Sequence, residues 1–181
     1  MESHHAYIAL GSNLGDRLSH LQFAVDRLRS DPGIEPISIS SVFEAAAHVL
    51  PGHEAQSSYL NAVVEVRSLF DPVSLLKHLL QIESDRGRRR RADLRWEPRV
   101  LDLDLIVMGT QAFETAELTL PHPRLAERAF VLDPLVEIAA DLHIPPPFDA
   151  TVRYLRDNCK DTASIAKSNL TLSISSANES V

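Results

Sequence analysis

Two amphipathic helix patterns, each lying between strand-like runs, constrain the fold of this chain more than any other feature. Apolar residues recur at spacings of three and four from Leu18 to Leu28, and Asp31-Pro32-Gly33 ends that pattern. The second pattern begins at Asp71-Pro72, an N-cap followed by proline, and ends at Gly87. Runs rich in apolar and β-branched residues predict the strands around them, at 7–10, 37–44, 59–66 and 100–108. We therefore expect an α/β (α+β) fold with the order β-α-β-β-α-β, the split βαβ arrangement.

The C-terminal part adds helices and then changes in composition. Helices are predicted over 131–140 and 152–156, with a break at Pro145-Pro146-Pro147 between them. From Lys160 onward the chain is rich in Ser, Thr and Asn, so we expect one domain over 1–159 and a flexible tail over 160–181. A late edge strand is the alternative for this tail, because apolar and polar residues alternate over 170–174.

Composition excludes several classes of protein. The chain has 181 residues and one cysteine, Cys159, which favours a reducing compartment. No apolar run approaches the roughly 18–20 residues of a membrane span, and the first residues lack a signal-peptide pattern. A net charge of −7 argues against a general nucleic-acid or anionic-membrane binder. We expect a cytoplasmic monomer whose partners are small molecules rather than nucleic acid or membrane.

The basic charge is concentrated in one segment. Seven of the 18 basic residues lie within 86–99, and with Asp93 and Glu97 that segment carries +5, which leaves −12 for the rest of the chain. They are Arg86, Arg88, Arg89, Arg90, Arg91, Arg95 and Arg99. Such a segment indicates a local anion site, since the guanidinium fork matches phosphate oxygens. A solvated arginine-rich loop is the alternative.

Asp102 and Asp104 lie in the apolar strand that follows this segment. Alternation along a strand directs both carboxylates to one face, with their Cα atoms about 6.5–7 Å apart. Two like charges on a central strand need neutralisation by a divalent metal or by arginines. Carboxylates without cysteine suit Mg²⁺ or Mn²⁺ rather than zinc, and with the arginines they form a clamp for phosphoryl transfer. The alternative is a pair neutralised by Arg95 or Arg99 at a solvent-facing edge.

Other candidates are individually weak. His122, between two prolines, is a candidate for proton transfer or phosphate binding, but a lone histidine is more often a structural hydrogen-bonding group. Tyr59 and Trp96 are candidates for ring stacking, although single aromatic residues usually belong to the core. The 11–15 segment lacks the Gly-Lys-Ser/Thr of a Walker loop and is expected to be a turn. Nucleophilic hydrolysis is poorly supported, because the chain has no Gly-x-Ser-x-Gly elbow.

Four motifs occur together in an order and spacing that resemble a known family. They are Tyr7-Ile8-Ala9-Leu10-Gly11-Ser12-Asn13-Leu14-Gly15-Asp16, Tyr59-Leu60-Asn61, Arg95-Trp96-Glu97-Pro98-Arg99-Val100-Leu101-Asp102-Leu103-Asp104, and Leu120-Pro121-His122-Pro123 followed by Arg128-Ala129-Phe130. They closely resemble the 6-hydroxymethyl-7,8-dihydropterin pyrophosphokinases, over residues 6–157. The resemblance implies a ferredoxin-like fold with an antiparallel sheet. It also implies transfer of pyrophosphate from ATP to the pterin hydroxymethyl group, with release of AMP, in folate biosynthesis.

The resemblance also implies a set of site residues. Asp102 and Asp104 match the ligands of two Mg²⁺ ions, and Arg88, Arg90 and Arg99 match catalytic arginines that engage the polyphosphate. Further residues expected at ATP are Glu83, Trp96, Leu105, His122 and Arg128. Residues expected at the pterin are Tyr59, Asn61, Trp96 and Phe130.

Departures from the family pattern leave alternatives open. Glu97 replaces a glycine, the arginine loop is one residue longer, and Ala45-Ala46-Ala47-His48 with a longer loop replaces a Thr-x-Pro stretch that frames the pterin. A paralogue with altered pterin specificity is therefore one alternative. Another is a non-catalytic ferredoxin-like module that binds RNA or a partner through its arginine loop. The acidic pair beside that loop argues against the second, because carboxylates repel a phosphate backbone.

Overall fold

The computed structural model describes residues 3–47, 56–87 and 98–174. The strands of the main sheet are β1 (His4–Ser12), β2 (Ile34–Ile39), β3 (Phe43–Ala45), β4 (Tyr59–Ser68), β5 (Asp102–Met108) and β10 (Ile165–Lys167). The helices are α1 (Arg17–Ser30), α2 (Pro72–Asp85), α3 (Ala129–Ala139) and α4 (Val152–Asp157), with a 3-10 turn at Leu125–Glu127. Two small hairpins are formed by β6 (Phe113–Glu114) with β7 (Thr119–Leu120) and by β8 (His143–Ile144) with β9 (Ala150–Thr151).

The main sheet is antiparallel and has helices on both faces. Its order is β10-β3-β4-β1-β5, and β2 also pairs with β4. Leucines of α1 and α2 pack with Ile8, Leu10 and Val64 on one face. On the other face, α3 and α4 pack against alternate residues of the same strands, among them Ala9 and Val63. The predicted α/β fold with the order β-α-β-β-α-β is confirmed.

The predicted cap of α2 is present, and α1 has a cap of the same kind. The Asp71 carboxylate accepts hydrogen bonds from the amides of Val73 and Ser74, both at 3.0 Å, directly before α2. Asp16 caps α1 in the same way through the amide of Ser19, at 3.2 Å. These contacts satisfy amides that have no partner within the first turn of a helix. Within the described residues, no helix is long and apolar enough to cross a membrane.

The predicted strand over 37–44 is two strands with an interruption between them. The Ser40 backbone amide donates to the Val63 carbonyl at 2.9 Å, and the Ser40 hydroxyl accepts from the Val63 amide at 3.0 Å. The serine side chain thus replaces a ladder contact, and the chain resumes pairing with β4 at Phe43. The interruption ends β2 and directs β3 toward the end of the sheet where β1 stops.

β5 contains a bulge that changes the alternation of its side chains. Leu105 pairs with Ile8 but Val107 pairs with Tyr7, so Ile106 is an extra residue on β5. The bulge reverses the alternation, and Val107 packs on the α3/α4 face rather than with Leu103 and Leu105. We expected a central strand here, but β5 is an edge strand of the main sheet.

The described part of the C-terminal segment differs from the expected flexible tail. β10 pairs antiparallel with β3, from Ile165 opposite Ala45 to Lys167 opposite Phe43. The alternative edge strand therefore forms, but earlier in the chain than the 170–174 alternation suggested. Leu172 and Ile174 pack against the α1/α2 core instead. The physical reason is that β3 offers an unpaired edge, which composition does not reveal.

Candidate active site

Asp102 and Asp104 line one cavity, as strand alternation predicted. In the register of β1 and β5, Asp102 lies opposite Gly11 and Asp104 lies opposite Ala9. The cavity has a volume of about 1240 Å³ and opens where β1, β4 and β5 meet. Gly11 and Ala9 have small side chains and leave the space between the walls open. A Cβ added at Gly11 would contact Asn61 Oδ1 at 3.5 Å and Asp102 Cβ at 3.8 Å. The two carboxylates therefore share one wall of a space large enough for substrates.

Each of these carboxylates is paired with an arginine. Arg99 Nη1 donates to Asp102 Oδ2 at 2.5 Å, and Arg128 Nη1 donates to Asp104 Oδ2 at 2.7 Å. The ion pair between Arg99 and Asp102 agrees with the alternative interpretation, in which arginine rather than a metal neutralises the two carboxylates. Burial raises the pKa of Asp104, but Arg128, His122 and Arg99 together outweigh burial and hold that pKa below its ordinary value. Asp104 is therefore an ionised acceptor at neutral pH.

His122 is held beside Asp104 by the β5 bulge. Its amide donates to the carbonyl of Ile106, the extra residue, at 2.8 Å. The Arg124 amide donates to His122 Nδ1 at 3.1 Å, so the ring proton belongs on Nε2, which lies 3.9 Å from Asp104 Oδ2. Burial lowers the pKa of His122 and Arg128 lowers it further, which outweighs the opposite effect of Asp104. The ring is therefore neutral at neutral pH and presents an N–H donor toward the carboxylate.

The opposite part of the cavity presents rings and an amide. Tyr59, Asn61 and Phe130 line it together with the three alanines at 45–47. The side chain of Asn61 is buried, yet its Nδ2 has no hydrogen-bond partner among the residues that the structure describes. An unpaired buried donor is costly, so its presence in a cavity wall points to a ligand that supplies the acceptor. The Arg128 guanidinium lies 5.8 Å from the centre of the Phe130 ring and links this part to the acidic wall.

Three predicted ATP-binding residues do not line the cavity: His122 lies beside Asp104, whereas Glu83 and Leu105 are buried in the α1/α2 half of the molecule. Glu83 is 2% exposed, and its Oε1 accepts the Leu103 amide at 2.7 Å, on the α2 side of β5. Leu105 is 3% exposed and belongs to the α1/α2 core. The structure therefore does not bring the side chains of Glu83 and Leu105 together with the other candidates, and their roles at ATP stay predictions. Arg88, Arg90 and Trp96 lie outside the described residues.

The sequence analysis missed how the turn after β1 supports Arg99. Asn13 Oδ1 accepts the Arg99 amide at 2.7 Å, and the Asn13 amide donates to the Arg99 carbonyl at 3.1 Å. The Ser12 hydroxyl donates to the Val100 carbonyl at 2.6 Å. Short polar side chains directly after a strand were the available signal, because they form local and cross-chain backbone contacts. The turn is therefore a support for the arginine that pairs with Asp102.

A second missed feature is the chain after α4. Asn158 and residues 160–163 line the same cavity on the side of Phe130.

Within the described ranges, no group of three or more His, Cys, Asp or Glu side chains could hold a metal ion. The acidic wall therefore consists of two carboxylates, a donor set that suits a hydrated Mg²⁺ shared with phosphate oxygens.

Comparisons with known proteins agree on one family. Residues 7–140 match the family model described as 7,8-dihydro-6-hydroxymethylpterin-pyrophosphokinase (HPPK). The 2-amino-4-hydroxy-6-hydroxymethyldihydropteridine pyrophosphokinase of Bacillus subtilis is 43% identical over 133 residues, 74% of this chain and 77% of that protein. The protein of the same name from Synechocystis is 43% identical over 162 residues, 90% of this chain and 80% of its own length.

Solved structures show the same fold at low sequence identity. An HPPK-DHPS in complex with substrates has a TM-score of 0.64 at 12% identity, over 86% of this chain and 43% of that one. A Plasmodium falciparum HPPK-DHPS with pterin and p-hydroxybenzoate has a TM-score of 0.66 at 14% identity, over 87% of this chain and 42% of that one. The chain thus spans less than half of these solved chains. The likeness supports a ferredoxin-like fold.

Proposed function

The chain belongs to the 7,8-dihydro-6-hydroxymethylpterin-pyrophosphokinase family, and from that premise we propose that its cavity transfers pyrophosphate from ATP to 6-hydroxymethyl-7,8-dihydropterin. The reaction is a step of folate biosynthesis, and AMP is its second product. One observation carries the assignment of the site. One cavity presents two arginine-paired carboxylates on one wall and, on the other, two aromatic residues beside a buried amide nitrogen that has no partner among the described residues.

The acidic wall fits Mg²⁺. Asp102 and Asp104 would hold it, since Mg²⁺ in proteins uses one or two carboxylates and completes its shell with water and substrate phosphates. Two Mg²⁺ ions held by Asp102 and Asp104 would supply neutralisation of the charge that develops on the phosphoryl and leaving oxygens. Histidine and cysteine ligands of a zinc site are not needed for this chemistry, and the donor set at hand contains only carboxylate oxygens.

The arginines of this wall have a second task in the proposal. Arg99 and Arg128 neutralise the carboxylates before substrate binds, at 2.5 and 2.7 Å. A bound cation would supply that neutralisation, and Arg99 and Arg128 would then contact oxygens of the polyphosphate. His122 Nε2–H lies close enough to Asp104 to donate to the same phosphates. The positive charge of the wall is thereby directed to where phosphoryl charge develops.

The other wall would hold the acceptor. A flat pterin would stack on Tyr59 and Phe130, which both line the cavity, and Asn61 Nδ2 would donate to its polar edge. Its hydroxymethyl oxygen attacks the β-phosphorus in line, the bond from that phosphorus to the α,β-bridging oxygen breaks so that AMP departs with that oxygen, and the hydroxyl proton is released to solvent water. We assign no side chain as general base, because the lowered pKa of Asp104 makes it a weak base and His122 Nδ1 already accepts the Arg124 amide. A loose transition state for phosphoryl transfer does not require a strong base.

The proposal extends to organisation. We propose that residues 1–159 carry the catalytic groups of one domain, to which β10 adds an edge strand, and that this domain acts as a cytoplasmic monomer with small molecules rather than nucleic acid as partners. The net charge of −7 supports small molecules over nucleic acid as partners. Altered pterin specificity and RNA binding through the arginine loop are not favoured by the family match.

The test is AMP formation from ATP and 6-hydroxymethyl-7,8-dihydropterin, with and without Mg²⁺. We expect AMP only when pterin and Mg²⁺ are both present, and loss of turnover in Asp102→Asn and Asp104→Asn while the circular dichroism spectrum is unchanged. Asp141→Asn is the matched control, since the Asp141 side chain is 94% exposed. Turnover near the wild-type rate in either cavity variant would contradict the metal assignment. Mg²⁺-dependent ATP binding without AMP would contradict the pterin acceptor.

A further inference from the structure

The chain after α4 forms a strap across the cavity, defined as residues 158–174. Its first part, Asn158 and residues 160–163, lines the cavity wall. Its second part is β10, which extends the main sheet by pairing with β3. The strap therefore has a stretch that faces the cavity, followed by a stretch that is held by the sheet.

Contacts beyond the cavity hold the strap in place. The Ala46 amide donates to the Ser164 carbonyl at 3.3 Å, and the Ser168 amide donates to the Val42 carbonyl at 2.8 Å. Farther along, Ser173 and Gln22 exchange two hydrogen bonds, at 2.9 and 3.0 Å. Anchors at both ends of β10 and near residue 173 keep residues 160–163 over the cavity.

Asp161 connects the strap to the start of α3. The N-cap residue of α3 is Arg128, whose side chain makes no capping hydrogen bond and instead pairs with Asp104. Asp161 Oδ2 accepts the Ala129 amide at 3.1 Å, so a carboxylate from the strap supplies the missing cap. Ala129 lies between Arg128 and Phe130 in the sequence. The cap therefore fixes the backbone that carries both a cavity cation and a cavity ring.

The strap lies on the acceptor side of the cavity. In the sheet order β10-β3-β4-β1-β5, the acidic wall is on β5 and the strap enters at the opposite end. Ile165 of the strap is opposite Ala45, and Ala45 is opposite Tyr59, the residue expected to stack on the acceptor. Three strands thus separate β10 from β5, while only β3 separates it from β4.

From these contacts we infer that the strap is a wall of the acceptor half of the site and that Asp161 is a positioning residue for Phe130. The inference rests on the proposed function and deepens it, because it assigns the C-terminal segment to recognition of the flat heteroaromatic acceptor. Loss of the strap contact frees the first turn of α3, and Phe130 then spends less time in the orientation that stacks on the ring. ATP contacts made from β5 are unaffected, and Arg128, the other cavity residue at the start of α3, is held separately by its ion pair with Asp104.

The first test compares Asp161→Ala with Asp161→Asn. Asparagine keeps a side-chain oxygen that caps a helix nearly as well as aspartate, whereas alanine removes the cap. We expect the pterin KM of D161A to rise about five- to tenfold, the range that loss of one cap allows, with kcat and the ATP KM within about twofold. D161N should restore most of the acceptor affinity. Asp141→Ala serves as the control for removal of a negative charge.

A second variant separates strap docking from the carboxylate. Ala166 pairs with Glu44 in β10 and does not line the cavity. Ala166→Pro removes a backbone donor from the ladder, so it should raise the pterin KM without removing any side chain from the site. Thermal unfolding of both variants confirms that each is folded at the assay temperature.

Pterin binding, measured by fluorescence titration with a non-hydrolysable ATP analogue, distinguishes failure of the inference from failure of the proposed function. Weaker pterin binding in D161A and A166P supports the inference even if the wild type forms no AMP. Unchanged pterin binding in both variants overturns the inference while wild-type turnover keeps the function. Equal losses of affinity for pterin and for ATP also overturn the inference. A wild-type protein that binds no pterin overturns both the inference and the proposed function.

Discussion

Replacing Asn61 with leucine should raise the stability of the free protein while it lowers affinity for the acceptor. Asn61 is 5% exposed, and its Nδ2 has no partner within the described part of the chain. A buried donor left unsatisfied costs about 1–3 kcal/mol. Because this amide faces an open cavity rather than a closed core, we take the lower end of that range, about 1 kcal/mol. Leucine has a similar volume and no polar atom, so it removes this cost.

The two effects are measured separately. Urea unfolding of the free protein should show N61L more stable by about 1 kcal/mol, and its Tm should rise by about 2–4 °C for a chain of this size. Steady-state kinetics should show a pterin KM raised about 10- to 100-fold, because the ligand then loses a buried hydrogen bond worth about 1.4–2.8 kcal/mol. Opposite signs for stability and affinity are the signature of a residue held ready for a ligand.

Asn169→Leu is the control, since Asn169 is exposed and does not line the cavity. It should change neither quantity. If N61L is less stable than the wild type and binds pterin equally well, the amide has a structural partner and the reasoning about the cavity wall is wrong.

Two further substitutions test support around the site. Glu83→Ala should lower the free energy of unfolding by about 2 kcal/mol, because it removes the acceptor of the Leu103 amide. Glu83→Gln keeps a carbonyl oxygen and should lower the free energy of unfolding less. Equal losses of stability in the two variants would contradict this reasoning. Glu137 accepts hydrogen bonds from Lys167 and Ser41; burial raises its pKa, but these donors outweigh burial and lower it below 4.5. Ionised Glu137 therefore stabilises the fold above pH 4.5, and this stabilisation is lost as the pH falls through the lowered pKa. Urea unfolding should show Glu137→Gln less stable than the wild type at neutral pH and equally stable in acid. A difference in stability that persists in acid would indicate lost packing instead.

Helices and caps were predictable because their determinants are local. Asp71-Pro72 and Gly87 bound α2 as the sequence analysis expected, since an N-cap acts on amides two and three residues away. The common face of Asp102 and Asp104 was predictable for the same reason, because side chains alternate along a strand whatever the strand pairs with.

Other parts of the site depended on pairing between distant segments. The bulge at Ile106 exists only in the register between β1 and β5, yet it directs a carbonyl to the His122 amide. The strap was interpreted as a tail because Ser- and Thr-rich composition is typical of solvated chain. Its binding site is the edge of β3, about 120 residues earlier in the chain, and composition carries no information about that edge.

The sequence by itself determined the order of elements, their caps and the residue types at the site, because these follow from periodicity and from contacts within a few residues. The tertiary structure decided which charged side chains contact each other or a distant backbone amide. Arg128 reaches Asp104 across 24 residues, and Asp161 reaches the Ala129 amide across 32. Such contacts form only after sheet register and helix packing have placed the backbones, and that placement minimises the free energy of the whole fold rather than of any one segment.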